Sequence, residues 1–313
     1  MTTNTQLITD LYSSINADPH QLKDPNVAHM EINHNRVLGM HAVPGLNIDV
    51  DELDDGISAV IRLDEGIQVA NPVHLCFGML PKEGVQRIIL DVNIGAGAKI
   101  SLLAHCTFPF AVDVQHLMNA EIRIGEGAEY SYFERHVHSP SGGVQVIPKA
   151  TVDVAPDAMF KTEFELLKGR VGMIDIDYEA TCHERSLLDM SARISGRSDD
   201  RIKINETAYL IGEYARGVLT SKIAVRESAR AEVYNKLTAS AAYARGHVDC
   251  KEVIQDEGQA RAIPIVDVRH PRAHVTHEAA IGSVDSKQLE TLMARGLDED
   301  QAVEVIINGL LSR

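Results

Sequence analysis

The chain has 313 residues and a formal net charge of −15. An acidic surface repels phosphate backbones and anionic lipids, so this charge disfavours binding to nucleic acid or to a membrane surface. Apolar residues make up 44% of the chain, but aromatic residues make up only 4%. Aliphatic side chains must therefore fill most of the core, which suits a solenoid better than a sandwich.

The N-terminus and the cysteines predict a cytoplasmic protein. The first residues lack a basic region followed by an apolar run, so we expect no secretory signal. The longest uncharged stretch, residues 100–112, is too short to cross a bilayer. The four cysteines are widely spaced and include no Cys-x-x-Cys pair, which indicates reduced thiols.

The pattern of apolar residues divides the chain into three parts. Residues 1–40 form an N-terminal helical segment, in which residues 4–16 predict a helix. The apolar stripe of that helix contains Leu7, Ile8, Leu11, Tyr12 and Ile15. Residues 41–284 show short alternating strands interrupted by Gly, Pro and Asp, which predicts a β core. Residues 285–313 form a C-terminal helical segment.

The β core contains a repeat of 30 residues. Residues 92–98, 122–128 and 152–158 share apolar residues at the same two positions and an alanine at the end. A weaker echo follows at residues 225–229. A fixed period of this size predicts a solenoid whose coils stack to form one continuous core.

Two capped helices are predicted near the C-terminus. Asp285 with Gln288, and Asp298 with Gln301, have the spacing of helix-capping pairs, and Gly296 is placed to end the first helix. The apolar faces contain Leu289, Leu292 and Met293 in the first helix, and Ala302, Val303, Ile306, Ile307 and Leu310 in the second. We therefore predict a helical hairpin.

The sequence lacks a nucleotide-binding loop of the Walker type. It contains no Gly-Lys dipeptide, which excludes a Walker A motif. Any ATP that this system uses must therefore be bound by a partner.

Several histidines and cysteines in the β core are candidate metal ligands. His136 and His138 share one face of a predicted strand, but they lack the Gly and Glu spacing of a metal-binding cupin. We interpret them as a hydrogen-bonded or solvated pair. Cys76, Cys106 and His136 lie one period apart and could stack to bind a soft metal. Packing of small thiols in the core is the interpretation that we favour.

Cys182, His183 and Glu184 also form a compact group of donor residues. Adjacent residues of a strand point to opposite faces, so these three side chains converge only at a bulge. Chance clustering is the interpretation that we favour, and Cys182 remains a secondary metal candidate.

Cys250 and the stretch 269–279 are the most informative residues for chemistry. Thiolate, imidazole and carboxylate groups together suit iron or zinc. In an ideal strand Thr276 and Glu278 share one face, whereas His277 points to the other. A polar edge strand, kept charged against aggregation, fits the same composition equally well.

This stretch resembles the C-terminal core of the SufB/SufD family of iron–sulfur cluster assembly scaffolds. The resemblance rests on Cys250, Pro264, the run 273–279 and the helices that follow, and it is specific over residues 245–313. Thr276 stands where SufB-type sequences tend to carry an acid, and the N-terminal region is short. These departures suit a compact, single-scaffold version of the family.

The resemblance implies a right-handed parallel β-helix and a scaffold function. The cluster-site residues would be Cys250 and Glu278, with His277 beside them, so iron and a transient iron–sulfur cluster are the expected cargo. Acceptor proteins would receive the cluster. A SufC-like ABC-type ATPase would bind the ATP and dock on the C-terminal helices. The expected docking residues are Leu289, Leu292, Met293, Val303, Ile306, Ile307 and Leu310.

One copy of Cys250 and Glu278 cannot supply the four ligands that a cluster usually needs. We therefore predict a homodimer, which works as a scaffold and not as an enzyme. Two alternatives stay open. A metal-dependent or carbohydrate-active β-helix enzyme would need convergent acids along one face. In a structural solenoid adaptor, Cys250 and Glu278 would be incidental.

Overall fold

The computed structural model describes residues 3–312 as a two-sheet β-solenoid with helices at both ends. The helices are α1 (Asn4–Ser14), α2 (Ser286–Met293) and α3 (Glu299–Leu311), with a 3-10 turn at Pro19–Lys23. The strands are β1 (His29–Asn33), β2 (Arg36–His41), β3 (Leu46–Glu52), β4 (Gly56–Leu63), β5 (Val73–Gly78), β6 (Glu83–Ile94), β7 (Lys99–Phe108), β8 (Asp113–Ile124), β9 (Glu129–His138), β10 (Val144–Val154), β11 (Met159–Lys168), β12 (Gly172–Cys182), β13 (Leu187–Gly196), β14 (Arg201–Leu210), β15 (Arg216–Val225), β16 (Arg230–Ala239), β17 (Arg245–Ile254), β18 (Gln259–Val268) and β19 (His274–Ser283).

From β4 onward, successive strands alternate between two sheets. One sheet has ten strands in the order β19-β17-β15-β13-β11-β9-β7-β5-β1-β2, and the other has nine in the order β18-β16-β14-β12-β10-β8-β6-β4-β3. Neighbours pair in parallel from β5 and β4 onward, so each coil contributes one strand to each sheet. The predicted mainly β, parallel solenoid fold is confirmed.

The repeat seen in the sequence corresponds to coil length. Glu83 of β6 pairs with Asp113 of β8, an offset of 30 residues. Val144 of β10 pairs with Gly172 of β12, an offset of only 28 residues, and the later coils settle at 29. Because the coils after residue 144 are shorter, a search at a fixed period of 30 finds only a weak echo there.

Left-handed residues turn the chain at one corner of successive coils. Gly97 and Gly127 have φ values of 63° and 64°, and Asp157 follows at 59° in the next coil. Glycine adopts this conformation without steric cost. The alanine after each of these residues is buried, so the corner closes the coil over the aliphatic core.

The N-terminal end of the solenoid is covered. The antiparallel strands β2 and β3 end the two sheets, and α1 packs on the outside, where Leu11 and Tyr12 meet Leu38 and Cys76. The predicted helix at 4–16 is confirmed as α1. However, β1 and β2 already belong to the solenoid sheet, so the β structure begins at His29 rather than at residue 41.

The C-terminal end of the solenoid is open. Within residues 3–312, β18 and β19 have a strand neighbour on one side only. Their inward positions, which are buried in earlier coils, are partly exposed here, and Val268 and Ile281 are 47% and 46% exposed. Two ten-residue edges with unpaired backbone groups are a ready surface for pairing with another chain.

The two predicted C-terminal helices form as expected. Asp285 accepts a hydrogen bond from the Gln288 backbone and caps α2, and Asp298 with Gln301 forms a full capping box at the start of α3. Gly296, with φ of 96°, lies in the connection. The hairpin is held against the outside of the solenoid because α3 packs on β15.

Candidate functional site

Cys250 lies inside the last complete coils of the solenoid. It is an inward residue of β17, fully buried, between Ser221 of β15 and Ala279 of β19 in register. The Asn235 side-chain amide from the opposite sheet donates a weak hydrogen bond to Sγ at 3.8 Å. Burial raises the pKa of the Cys250 thiol to about 11, so it is protonated at neutral pH in this conformation.

The two other predicted cluster ligands lie on the edge strand β19 and on opposite faces of it. His277 is in register with the inward residue Val248, so it faces the same side as Cys250. Glu278 lies on the outer face, where its carboxylate is 3.9 Å from the Lys251 ammonium and 59% exposed. The predicted division of these residues between two faces is therefore present, and the three groups do not converge within one chain.

Two buried acids lie near Cys250 inside the solenoid. The Ser221 hydroxyl donates to Glu252, two residues after Cys250, at 3.5 Å, and Glu206 lies on an inward position of β14. Burial raises the pKa of Glu252 to about 7 and the pKa of Glu206 to about 8. Both carboxyl groups near Cys250 can therefore gain or lose a proton close to neutral pH.

The C-terminal hairpin touches the strand that carries Cys250. Val303 and Ile307 of α3 are buried against a small cluster that includes Ala224 of β15 and Val253 of β17. Val253 is three residues from Cys250 on the same strand. α3 therefore packs mainly on β15 and reaches β17 through Val253.

An ion-pair network fixes α3 in place. The Glu304 carboxylate accepts hydrogen bonds from Arg197 at 2.7 Å and from Arg226 at 2.5 Å, and Arg193 donates to the carbonyl of Leu311 at 2.6 Å. Partial burial acts to raise the pKa of Glu304, but the two guanidinium groups outweigh it and hold the pKa below its usual range.

Comparison with known proteins assigns the chain to a family. Residues 82–310 match the family described as SUF system FeS cluster assembly, SufBD core domain. The chain belongs to the SufBD family. The match begins after β5, so α1 and the first five strands lie outside the matched region.

SufBD relatives from archaea cover most of this chain. An iron-sulfur cluster assembly SufBD family protein of Methanocaldococcus jannaschii is 36% identical over 280 residues, which are 90% of this chain and 89% of the relative. One from Pyrococcus horikoshii is 34% identical over 285 residues, 91% and 87% of the two chains. One from Archaeoglobus fulgidus is 25% identical over 252 residues, 80% and 67% of the two chains. This chain is therefore a member of the SufBD family of iron–sulfur cluster assembly proteins.

The predicted docking residues of this SufBD chain fall into two groups. Val303 and Ile307 face the solenoid and are buried by their own chain. Leu289 and Ile306 also pack partly against it. Leu292, Ile306 and Leu310 line an open groove between α2 and α3, and Met293 is 42% exposed. The apolar residues of α2 and α3 predicted that these helices pack against something, but they did not show whether that is the solenoid or another protein.

The predicted ladder of Cys76, Cys106 and His136 is only half present. Cys106 and His136 are in register on β7 and β9. Cys76 is wrong as a member, because it pairs with His105 and faces α1 on the other side of the sheet. The coil between β5 and β7 is one residue shorter than the period, and a slip of one residue reverses the face.

The other candidate metal ligands are packed in the core or hydrogen-bonded to neighbouring residues. Cys182 is a core residue at the end of β12, and burial raises the pKa of its thiol to about 12. His183 bonds to Asp153 at 2.9 Å, away from Cys182. His136 and His138 are buried and hydrogen-bonded to each other at 3.1 Å. This agrees with their interpretation from the sequence as a hydrogen-bonded pair. Within residues 3–312, no helix is long and apolar enough to cross a membrane.

Sequence reasoning missed the buried polar residues of the SufBD interior. They include Gln86, His116, Glu134, Glu206, Asn235 and Glu252. Each occupies a position where the strand alternation calls for an apolar side chain, as Glu206 does after Ile202 and Ile204. A polar residue in the inward phase of a strand is the signal that would have found them.

Proposed function

We propose that this chain is a scaffold subunit on which a transient iron–sulfur cluster is built between two copies, driven by a SufC-like ABC-type ATPase. The observation that carries the proposal is the open end of the solenoid, with Cys250 one strand below the free edge. The proposed cluster residues and the strand edges that could pair with a second copy therefore lie at the same end of the solenoid. The finished cluster is cargo for acceptor proteins.

The open end supports a homodimer. Pairing of β18 and β19 with a second copy would satisfy their backbone groups and cover Val268 and Ile281. A twofold axis there brings together two sets of Cys250, His277 and Glu278. Two sets can fill four coordination positions, which one set cannot.

The buried thiol supports a mechanism with two states. Cys250 is protonated and covered by β19 in this conformation, so iron and sulfide reach it only when the edge moves. His277 and Glu278 lie on opposite faces of the edge strand β19 and would bind iron at that edge once two copies meet. The contact of α3 with Val253 offers a route by which ATPase closure moves β17 and exposes Cys250.

The groove between α2 and α3 supports the docking of the ATPase. It has a volume of about 900 Å³ and is lined by apolar side chains of both helices, including Leu292, Ile306 and Leu310. Val305, beside them, is 49% exposed. A partner helix with an apolar face would fill such a groove.

We predict that Leu292→Glu combined with Leu310→Glu weakens binding of a co-expressed SufC-like ATPase at least about tenfold, because one central apolar contact is worth about 2 kcal/mol. Affinity pull-down followed by calorimetry measures the loss. Leu187→Glu is the matched control, since Leu187 is an exposed leucine on β13, outside the groove. Equal binding of the double variant and the wild type would contradict the proposed docking site.

A further inference from the structure

The interior of the solenoid holds a second group of metal-binding side chains, well away from Cys250. Cys106, His116, Glu134 and His136 each offer one ligand atom, and these atoms all lie within 4.8 Å of one another. Each of the four residues is 2% exposed or less. Five strand spacings of about 4.8 Å separate β7 from β17, so the group lies roughly 24 Å from Cys250.

Both sheets contribute to this group. Cys106 on β7 and His136 on β9 are in register, and Glu134 precedes His136 by two residues on the same face. His116 comes from β8 in the opposite sheet. A metal ion bound here would join the two sheets across the core.

Hydrogen bonds outside the group orient the ring of His116. The Gln86 amide nitrogen donates to the carbonyls of His34 and Gly78, at 3.0 and 2.8 Å, which fixes the amide oxygen toward His116. That oxygen lies 3.0 Å from Nδ1 of His116, so Nδ1 carries the proton. The lone pair of Nε2 is left free to bind a metal.

A similar chain fixes His136. Nδ1 of His138 lies 3.2 Å from the carbonyl of Arg170, and a carbonyl only accepts, so this nitrogen carries the proton. Nε2 of His138 then accepts from Nδ1 of His136 at 3.1 Å. Nε2 of His136 therefore presents a lone pair, yet it lies 2.6 Å from the Glu134 carboxylate. Two acceptors at this distance need a shared proton or a cation between them.

The Glu134 carboxylate and the Cys106 thiol also have few hydrogen-bond partners. Glu134 Oε1 accepts a hydrogen bond from the Cys106 thiol at 3.6 Å and lies 2.6 Å from His136 Nε2, while the buried Oε2 accepts no hydrogen bond from the described residues. The Tyr132 hydroxyl lies near but makes no hydrogen bond of normal geometry. Burying a carboxylate in a dry core without full pairing is costly. A divalent cation with one thiolate, one carboxylate and two neutral imidazoles gives a site of zero net charge.

We propose that Cys106, His116, Glu134 and His136 form a structural zinc(II) site that ties the two sheets together. Four protein ligands of the Cys, His and carboxylate types are typical of zinc, and bonds of about 2.0–2.3 Å require ligand atoms roughly 3.5 Å apart. Movements of about 1 Å bring the four atoms to that spacing. Because the four ligands leave no open position, the ion has a structural and not a catalytic role. Binding replaces the thiol proton and the proton shared by Glu134 and His136, which leave to solvent.

Metal counting on the full chain tests the site. The protein, produced in zinc-supplemented medium and dialysed against a weak chelator, is expected to retain about one zinc ion per chain. Cys106→Ala and His136→Gln are expected to lower that content at least about tenfold. Cys182→Ala, which removes another buried core thiol, and Cys250→Ser, which alters the proposed cluster site, are expected to keep it.

Substitution with cobalt(II) gives a second test, which uses only the wild-type chain and therefore does not depend on whether the variants fold. Wild-type chain produced with cobalt is expected to show a thiolate-to-cobalt charge-transfer band and the intense visible bands of a four-coordinate ion. Wild-type chain refolded with zinc is expected to unfold several degrees higher than chain refolded without it. Wild-type chain without bound zinc, or equal zinc content in Cys106→Ala and wild type, would overturn the proposal.

Discussion

Cys250→Ser is expected to abolish cluster assembly while leaving the solenoid folded. A serine hydroxyl is only slightly smaller than the thiol and can likewise accept a hydrogen bond from the Asn235 amide, but it cannot supply a thiolate to iron. We expect the brown chromophore formed in anaerobic reconstitution with iron and sulfide to fall at least about tenfold, since loss of a ligand costs more than loss of a supporting contact. Visible absorption and bound iron and sulfide measure the yield, and circular dichroism checks the fold.

Cys182→Ser is the matched control for that experiment. Cys182 is likewise a fully buried thiol on an inward strand position, so its replacement places a hydroxyl in a comparable core. It should lower thermal stability but leave the chromophore intact. A normal chromophore in Cys250→Ser, or equal losses in both variants, would refute the assigned role of Cys250.

Val268→Lys combined with Ile281→Lys is expected to dissociate the proposed dimer. Both side chains are nearly half exposed at the open end of the single chain, so the lysines cost the monomer little. In the proposed interface they would bury four unpaired ammonium groups, which costs several kcal/mol and weakens the dimer at least roughly 100-fold. Sedimentation velocity measures the loss, and cluster yield should fall with it.

Leu187→Lys combined with Val218→Lys controls for added charge. These residues are each 37% exposed and lie on β13 and β15, the fourth and third strands from the free edge of the ten-stranded sheet. The control should sediment as wild type does. If the edge variant also sediments as wild type does, the copies do not associate through β18 and β19.

The local parts of this fold could be predicted from the sequence. Strand alternation and capping pairs such as Asp298 with Gln301 depend on neighbours within a few residues, and they appear where expected. The placement of His277 and Glu278 on opposite faces follows from the same local rule. Long-range placement could not be predicted in the same way. One missing residue in a coil turned Cys76 away from Cys106, and no local pattern shows how many residues each corner takes.

Apolar stripes likewise left their partners undefined. Val303 and Ile307 formed part of an expected docking face for another protein, yet their own solenoid buries them, and the groove lined by Leu292 and Leu310 is what stays open. An apolar stripe predicts that one face of a helix is buried, whereas the element that buries it depends on tertiary packing. The polar composition of β19 was compatible with an edge strand, but strand alternation alone does not show that the solenoid end is open.

Subunit mixing tests the central claim, that two copies share one cluster site. Wild-type chain and Cys250→Ser chain are unfolded together in different ratios, refolded to form random dimers and reconstituted anaerobically. If each cluster needs Cys250 from both copies, yield follows the square of the wild-type fraction, and an equal mixture gives about one quarter of the wild-type yield. A linear dependence, with about one half of the yield in the equal mixture, would show that each chain builds its own cluster and would contradict the shared site.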